Sequence, residues 1–369
     1  MKRTIIGLLL FLVHMGSAHA YCWKNSALEK TAGSLGIDPK QFARWSNSVV
    51  DIEVRSHDQR PSAEPLDIQT YVASGFLVDY GDSPSRQYVV TTQGIAQLSL
   101  LARHLVTANV RVRPEEVERE VPFTVDFLST KQNLALLSIP KLKNTFAISI
   151  DGPPEITEGQ PTLMIPSCTG MVSVEALGQK VSGEILTTTT PLSLGSSYLT
   201  SIHLESAQRG SPVFTTKGVL IGMMSDAVTV TVGGKKHPYA SIESIADFLK
   251  EVQNAEDRPD TDRFNQKQKE FWQGVLSADR QVRADSLTNY LQITDPRDYR
   301  AIFLVAQIAL PLDPAYALEL LNYTNQRLPN DFLVKRQIVS TLRQLHRQDE
   351  ATTAEKSLKA AHRWYNDLF

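Results

Sequence analysis

The spacing of apolar residues changes character twice, and those changes divide the chain. From Val49 they recur at every second position, as in Val50, Ile52 and Val54, and short runs follow one another between Gly, Pro and Ser turns. A period of two marks strands that bury one face, so this part predicts an antiparallel β region. Past Asp262 the pattern turns helical and stays so to Phe369. Between the two, residues 254–262 are charged, contain Pro259 and carry no large apolar side chain, which predicts a linker. The 369 residues suit two or three domains. The expected division is 1–20 signal peptide, 21–46 helical segment, 47–253 β domain, 254–262 linker and 263–369 helical domain. Asp38-Pro39 supplies a helix start before Phe42, Glu243 to Val252 reads as a closing helix, and Val228 to Val232 before Gly233-Gly234 reads as a hairpin.

The first twenty residues have the layout of a cleavable export signal: Lys2 and Arg3, an apolar core from Ile5 to Val13, then Ala18-His19-Ala20 before Tyr21. That core is short for a membrane span and no other segment is long enough, so no stable membrane insertion is expected. Two cysteines remain, Cys22 and Cys168. In an oxidising compartment such a pair favours a disulfide over two free thiols.

The segment Ser206-Ala207-Gln208-Arg209-Gly210-Ser211-Pro212-Val213-Phe214, followed by Gly218-Val219-Leu220-Ile221-Gly222-Met223, resembles the nucleophile loop and next strand of chymotrypsin-fold serine proteases. Ala73-Ser74-Gly75-Phe76-Leu77-Val78, Tyr88-Val89-Val90-Thr91-Thr92-Gln93-Gly94-Ile95 and Asn133-Leu134-Ala135-Leu136-Leu137 match further landmarks. So do Glu158-Gly159-Gln160, Val181-Ser182-Gly183-Glu184-Ile185 and Tyr239-Ala240-Ser241-Ile242. Together, over roughly Ser46 to Gln253, the chain resembles bacterial periplasmic proteases of the HtrA type. The resemblance implies an all-β double six-stranded barrel, periplasmic residence, and triad positions at Gly94, Asn133 and Arg209.

None of those three side chains can do the triad's work. Acyl transfer needs a hydroxyl or thiol nucleophile, an imidazole base and a carboxylate to orient it. Gly94 has no side chain, Asn133 has no charge, and the Arg209 guanidinium offers only donors. Ala207 stands where the oxyanion-hole glycine would be. The resemblance therefore implies a degenerate protease whose candidate cleft is Ala207, Arg209, Gly210 and Ser211. The alternative is an HtrA-type endopeptidase with a displaced active site, built from Ser206 or Ser211 with His57, His104, His203 or His237. Against it, Gly210-Ser211-Pro212 has ordinary turn composition.

A formal net charge of −2 with mixed signs gives no electrostatic reason for a nucleic-acid partner. The acidic run Glu115 to Glu120 is expected to be a solvated strand or loop edge. No histidine pair has metal-ligand spacing and no glycine-rich phosphate loop occurs, so neither metal nor cofactor is expected.

In the helical region Ala317 and Ala351 lie 34 residues apart and Pro329 falls at a repeat end, which resembles tetratricopeptide repeats. Val305 and Val339 replace the small residue usual in the first helix. Segments Phe264 to Ala278 and Val282 to Leu291 could supply an earlier hairpin, since a stack needs several units to bury its core. Such arrays present a groove to a peptide or protein partner. Tyr316, Tyr323, Arg327, Arg336 and Arg343 are the candidates for that surface, with packing between helices the alternative for the two tyrosines.

Overall fold

The computed structural model describes residues 26–56, 69–81, 83–101, 106–112, 119–129, 132–143, 145–150, 154–168, 170–171, 181–187, 197–254, 270–271, 274, 279–293 and 299–366. The export signal, Cys22, His57, His104, nearly all of the linker and most of the segment Phe264 to Ala278 lie outside the described residues.

Two helices lead the described chain, α1 (Ser26–Ser34) and α2 (Pro39–Ser48). Asp38 caps α2 by accepting from the Lys40 and Gln41 amides, with Pro39 in the first turn, where its missing N–H costs nothing. Phe42 and Trp45 are the buried aromatic residues of α2, and the Trp45 ring stacks on Phe214 at 4.1 Å.

The first β unit contains β1 (Val49–Ser56), β2 (Gln69–Val78), β3 (Arg86–Thr92), β4 (Val106–Val112), β5 (Arg119–Pro122), β6 (Thr124–Leu128) and β7 (Leu134–Pro140), with α3 (Gln93–Leu101) after β3. These strands form a seven-stranded sheet in the order β5-β4-β1-β2-β3-β7-β6. Six strands were expected. β5 is the return half of a hairpin on β4, with Val112 opposite Arg119 and Asn109 opposite Pro122. It grows from the end of the acidic run, and its charged, largely exposed residues suit an edge strand while hiding it from a search for alternating apolar residues.

The second unit is a closed six-stranded barrel, as expected, in the order β10-β13-β12-β11-β8-β9. Its strands are β8 (Pro161–Met164), β9 (Ser182–Thr187), β10 (Ser197–Thr200), β11 (Pro212–Thr215), β12 (Leu220–Val232) and β13 (Lys235–Glu243). Gly233 and Gly234 both take positive φ and turn β12 into β13 in two residues.

β7 explains how the two units share one interior. Leu134 to Ile139 are all buried. Because neighbouring residues on a strand point to opposite faces, Leu134 and Leu136 join Leu163, Phe214 and Met223 of the second barrel, while Ala135, Leu137 and Ile139 face Val50, Ile52 and Val89 of their own sheet. The closing helix α4 (Ile245–Asn254) reaches back across the pair. Its Phe248 ring meets Phe127 at 5.9 Å, and Glu251 accepts from the Ser129 hydroxyl at 2.5 Å.

A C-terminal helical region follows: α5 (Arg280–Ile293), α6 (Tyr299–Ala309), α7 (Pro314–Arg327), α8 (Phe332–Gln344), α9 (Gln348–Ala361) and the short α10 (Arg363–Asn366). α5 covers the segment expected from Val282 to Leu291. Asp313 and Asp331 cap α7 and α8. Ala317 and Ala351 are both buried, on α7 and α9 respectively. Phe271 stacks on Tyr290 at 4.1 Å and packs with Leu287 and Val305.

Candidate functional site

The strands bring Gly94, Asn133 and Arg209 to one seam between the β units. β3 ends at Thr92 opposite Leu134, and the Gln93 amide donates to the Asn133 carbonyl at 3.2 Å. That sets the start of α3, with Gly94, beside the start of β7. Two rungs further down, the Thr91 hydroxyl donates to the Ser74 carbonyl at 2.9 Å, and the Ser74 amide donates to the Arg209 carbonyl at 2.7 Å. Gly94 is exposed, and a Cβ there would meet nothing within 4 Å. The Asn133 side-chain amide donates to Ser225 Oγ at 3.0 Å, and that hydroxyl donates to Asp226 Oδ2 at 3.1 Å. Arg209 projects from the loop as an exposed residue.

The loop holding Arg209 is a single 3-10 turn, Ser206–Gln208. Gln208 is fully buried; its amide donates to the Glu205 carbonyl and its side-chain oxygen accepts from the Glu205 amide. The Arg209 amide donates to the Ser206 carbonyl at 3.3 Å, and the Ala207 carbonyl accepts from Ser74 Oγ at 3.1 Å. In the acyl-transfer template the nucleophile's own amide is one of two donors to the developing oxyanion. Here that amide is spent inside the turn.

Gly210 is where the sequence leaves no choice. Its φ is +91°, and a Cβ would lie 1.7 Å from the Ser74 carbonyl oxygen. Only glycine lets the loop come this close to β2 while its amide donates to Met224 O at 2.9 Å. Ser211 follows, with no exposed surface and a hydroxyl that has no hydrogen-bond partner. Its position in the candidate cleft is therefore interior, and neither His203 nor His237 is hydrogen-bonded to it. Sequence reasoning passed over Ser74, Thr91 and Ser225 as site residues, although the quoted motifs contain the first two.

Among the described residues no cluster of three or more His, Cys, Asp or Glu side chains is placed to hold a metal ion. None of their helices is long and apolar enough to cross a membrane. Cys168 is buried, and no described cysteine is a free thiol.

The five helical candidates differ in burial and contacts. Tyr316 packs against the cluster of Phe271, Leu287 and Val305, and burial with nearby Glu319 raises its phenol above the usual range. Tyr323 and Arg327 are exposed on α7. On α8, Arg343 pairs with Glu355 at 2.5 Å, whereas Arg336 is half-buried; desolvation lowers its guanidinium from its ordinary value, against the opposing pull of the Tyr365 phenol.

Among solved structures similar to the chain is one titled "Crystal structure of Deg5", at 16% identity and a TM-score of 0.42, covering 58% of this chain and 92% of that chain. No protein-family model and no curated protein matches the chain.

Proposed function

We propose that the chain is an exported trypsin-like barrel of HtrA type that has lost catalysis and works as a peptide- or protein-binding scaffold or regulator in the bacterial periplasm. Its helical region is a tetratricopeptide-like docking module. The observation that carries this reading is the loop at Arg209. The close approach of Gly210 to β2 is kept, but the nucleophile position holds an exposed guanidinium and its amide is turned inward. A site of this shape can take an extended peptide along the seam and pair its acidic group with Arg209.

The test is direct binding of a fluorescein-labelled extended peptide carrying one central glutamate, followed by anisotropy. Arg209→Ala is expected to weaken binding about tenfold, the scale of one charge-assisted hydrogen-bonded pair, with Arg209→Lys in between. Equal affinity for all three proteins would remove Arg209 from the site.

The same reading takes Cys22 and Cys168 as a disulfide. Cys168 packs in one cluster with Leu28 of α1, which begins only a few residues after Cys22. A bridge closing so long a loop contributes roughly 2–5 kcal/mol. Cys168→Ser should therefore lower the unfolding midpoint in oxidising buffer by the same amount as reduction of the wild type. Full alkylation of both thiols in the unreduced, denatured protein would refute the pairing.

A further inference from the structure

The last helices of the array already carry an occupant, which is the protein's own barrel. β11 pairs with β12 no further than Met223, but β12 runs on to Val232. β10 leaves β13 at Ala240, and past that point β12 and β13 form a two-stranded arm, in register from Val228 opposite Tyr239 to Val232 opposite Lys235. Val228, Val230 and Val232 on the arm are buried, while Thr229 and Thr231 between them are exposed. Phe332 and Val339 of α8, Leu358 of α9 and Tyr365 of α10 pack around the three valines, together with Leu199. Tyr239, opposite Val228, meets the Trp364 ring edge-on at 5.1 Å.

The apolar fit is good and the polar fit is not. His362 Nε2 and Trp364 Nε1 are buried with no hydrogen-bond partner. Burial and the Lys335 cation hold the His362 imidazole neutral, its pKa down at about 4. Arg336 is half-buried near Tyr365, and among the described residues no carboxylate is paired with it. The Trp364 N–H without an acceptor, the neutral His362 Nε2 without a donor, and a desolvated cation without a counter-ion among the described residues each disfavour the state that contains them. The arm therefore supplies three β-branched side chains in alternation but leaves the neighbouring cation unanswered.

We propose that the β12–β13 arm is an internal stand-in on the α8–α10 face, and that the face's ligand is an extended segment of a partner protein with alternating β-branched residues and a carboxylate. That segment displaces the arm, sets its apolar residues where the valines lie and pairs its carboxylate with Arg336. The proposal rests on reading the helices as a docking module, and gives that module a ligand class and a gate.

The probe is a fluorescein-labelled peptide, Ala-Val-Thr-Val-Thr-Val flanked by glutamates, titrated into the full chain. A variant with Val228, Val230 and Val232 all changed to serine frees the face. Its affinity is expected to exceed that of the wild type at least ~10-fold, because the wild type must first give up the arm. Adding Arg336→Gln should remove most of that gain. Hydrogen exchange on the unaltered protein provides a second measurement that needs no variant to fold. Arm amides should exchange faster than those of β7 and faster still with saturating peptide, while those of α8 slow. Peptide-independent protection of the arm at the level of β7, or equal binding by wild type and variant, would overturn the stand-in alone. A variant whose arm exchanges freely but which takes up no peptide would overturn the docking reading itself.

Discussion

Replacing Gly94→His, Asn133→Asp and Arg209→Ser together is expected to leave the chain unlabelled by a fluorophosphonate serine probe. The expectation does not come from crowding. A side chain at position 94 has open space around its Cβ, and position 133 already makes a hydrogen bond toward Ser225. The obstacle is the turn beneath residue 209, whose amide donates to Ser206 O, while the Ala207 carbonyl is held by Ser74. Loss of a single oxyanion donor costs about 10²–10³ in rate, so a restored triad without the hole should react at least that much more slowly than a competent protease. Labelling at a rate comparable with such a control would show that the turn opens at little cost. The turn would then drop out of the argument for lost catalysis, which would rest on the three replaced side chains alone.

Gly210→Ala should have the largest effect on stability of any conservative change in the seam. A left-handed φ costs a β-carbon-bearing residue roughly 1–3 kcal/mol, and the contact with the Ser74 carbonyl adds a backbone shift of both β2 and the loop. A total of about 4 kcal/mol or more places it among the exceptional single substitutions and should lower the thermal midpoint by roughly 10 °C. Gly94→Ala is the matched control. It has no positive φ and no neighbour near its Cβ, so it should be neutral or slightly stabilising. Similar melting of the two variants would show that the close approach at Gly210 does not hold the seam together.

These two glycines also show where sequence reasoning succeeds and where it stops. The change of period at Val49, the cap at Asp38, the Gly233-Gly234 turn and the motif around Gly210 are local signals, and each appears in the structure. β5 shows no alternation of apolar residues, because an exposed edge strand needs none; only the charged run ending at Glu120, expected as a solvated strand or loop edge, points to it. The Arg209 amide closes onto nearby Ser206, but the turn is also held by the distant Ser74, whose hydroxyl donates to the Ala207 carbonyl, and no local pattern reveals that partner. Ser211 reads as an ordinary turn residue, and nothing local reveals its burial, which goes with β12, whose Met224 amide donates to the Ser211 carbonyl. The packing of the arm valines on α8 to α10 was hidden for the same reason. Alternating valines announce a strand with one covered face but do not say what covers it.

The stack of Trp45 on Phe214 carries a consequence for how the molecule is made. A ribosome delivers α2 long before β11, so the apolar side of that helix stays bare while the strands between them are made. Contacts between such distant segments form late and slowly, and a bare apolar helix is the kind of surface that chaperones hold. Helix α2 thus waits for the second barrel, and the lag between the two sets how long it needs an escort.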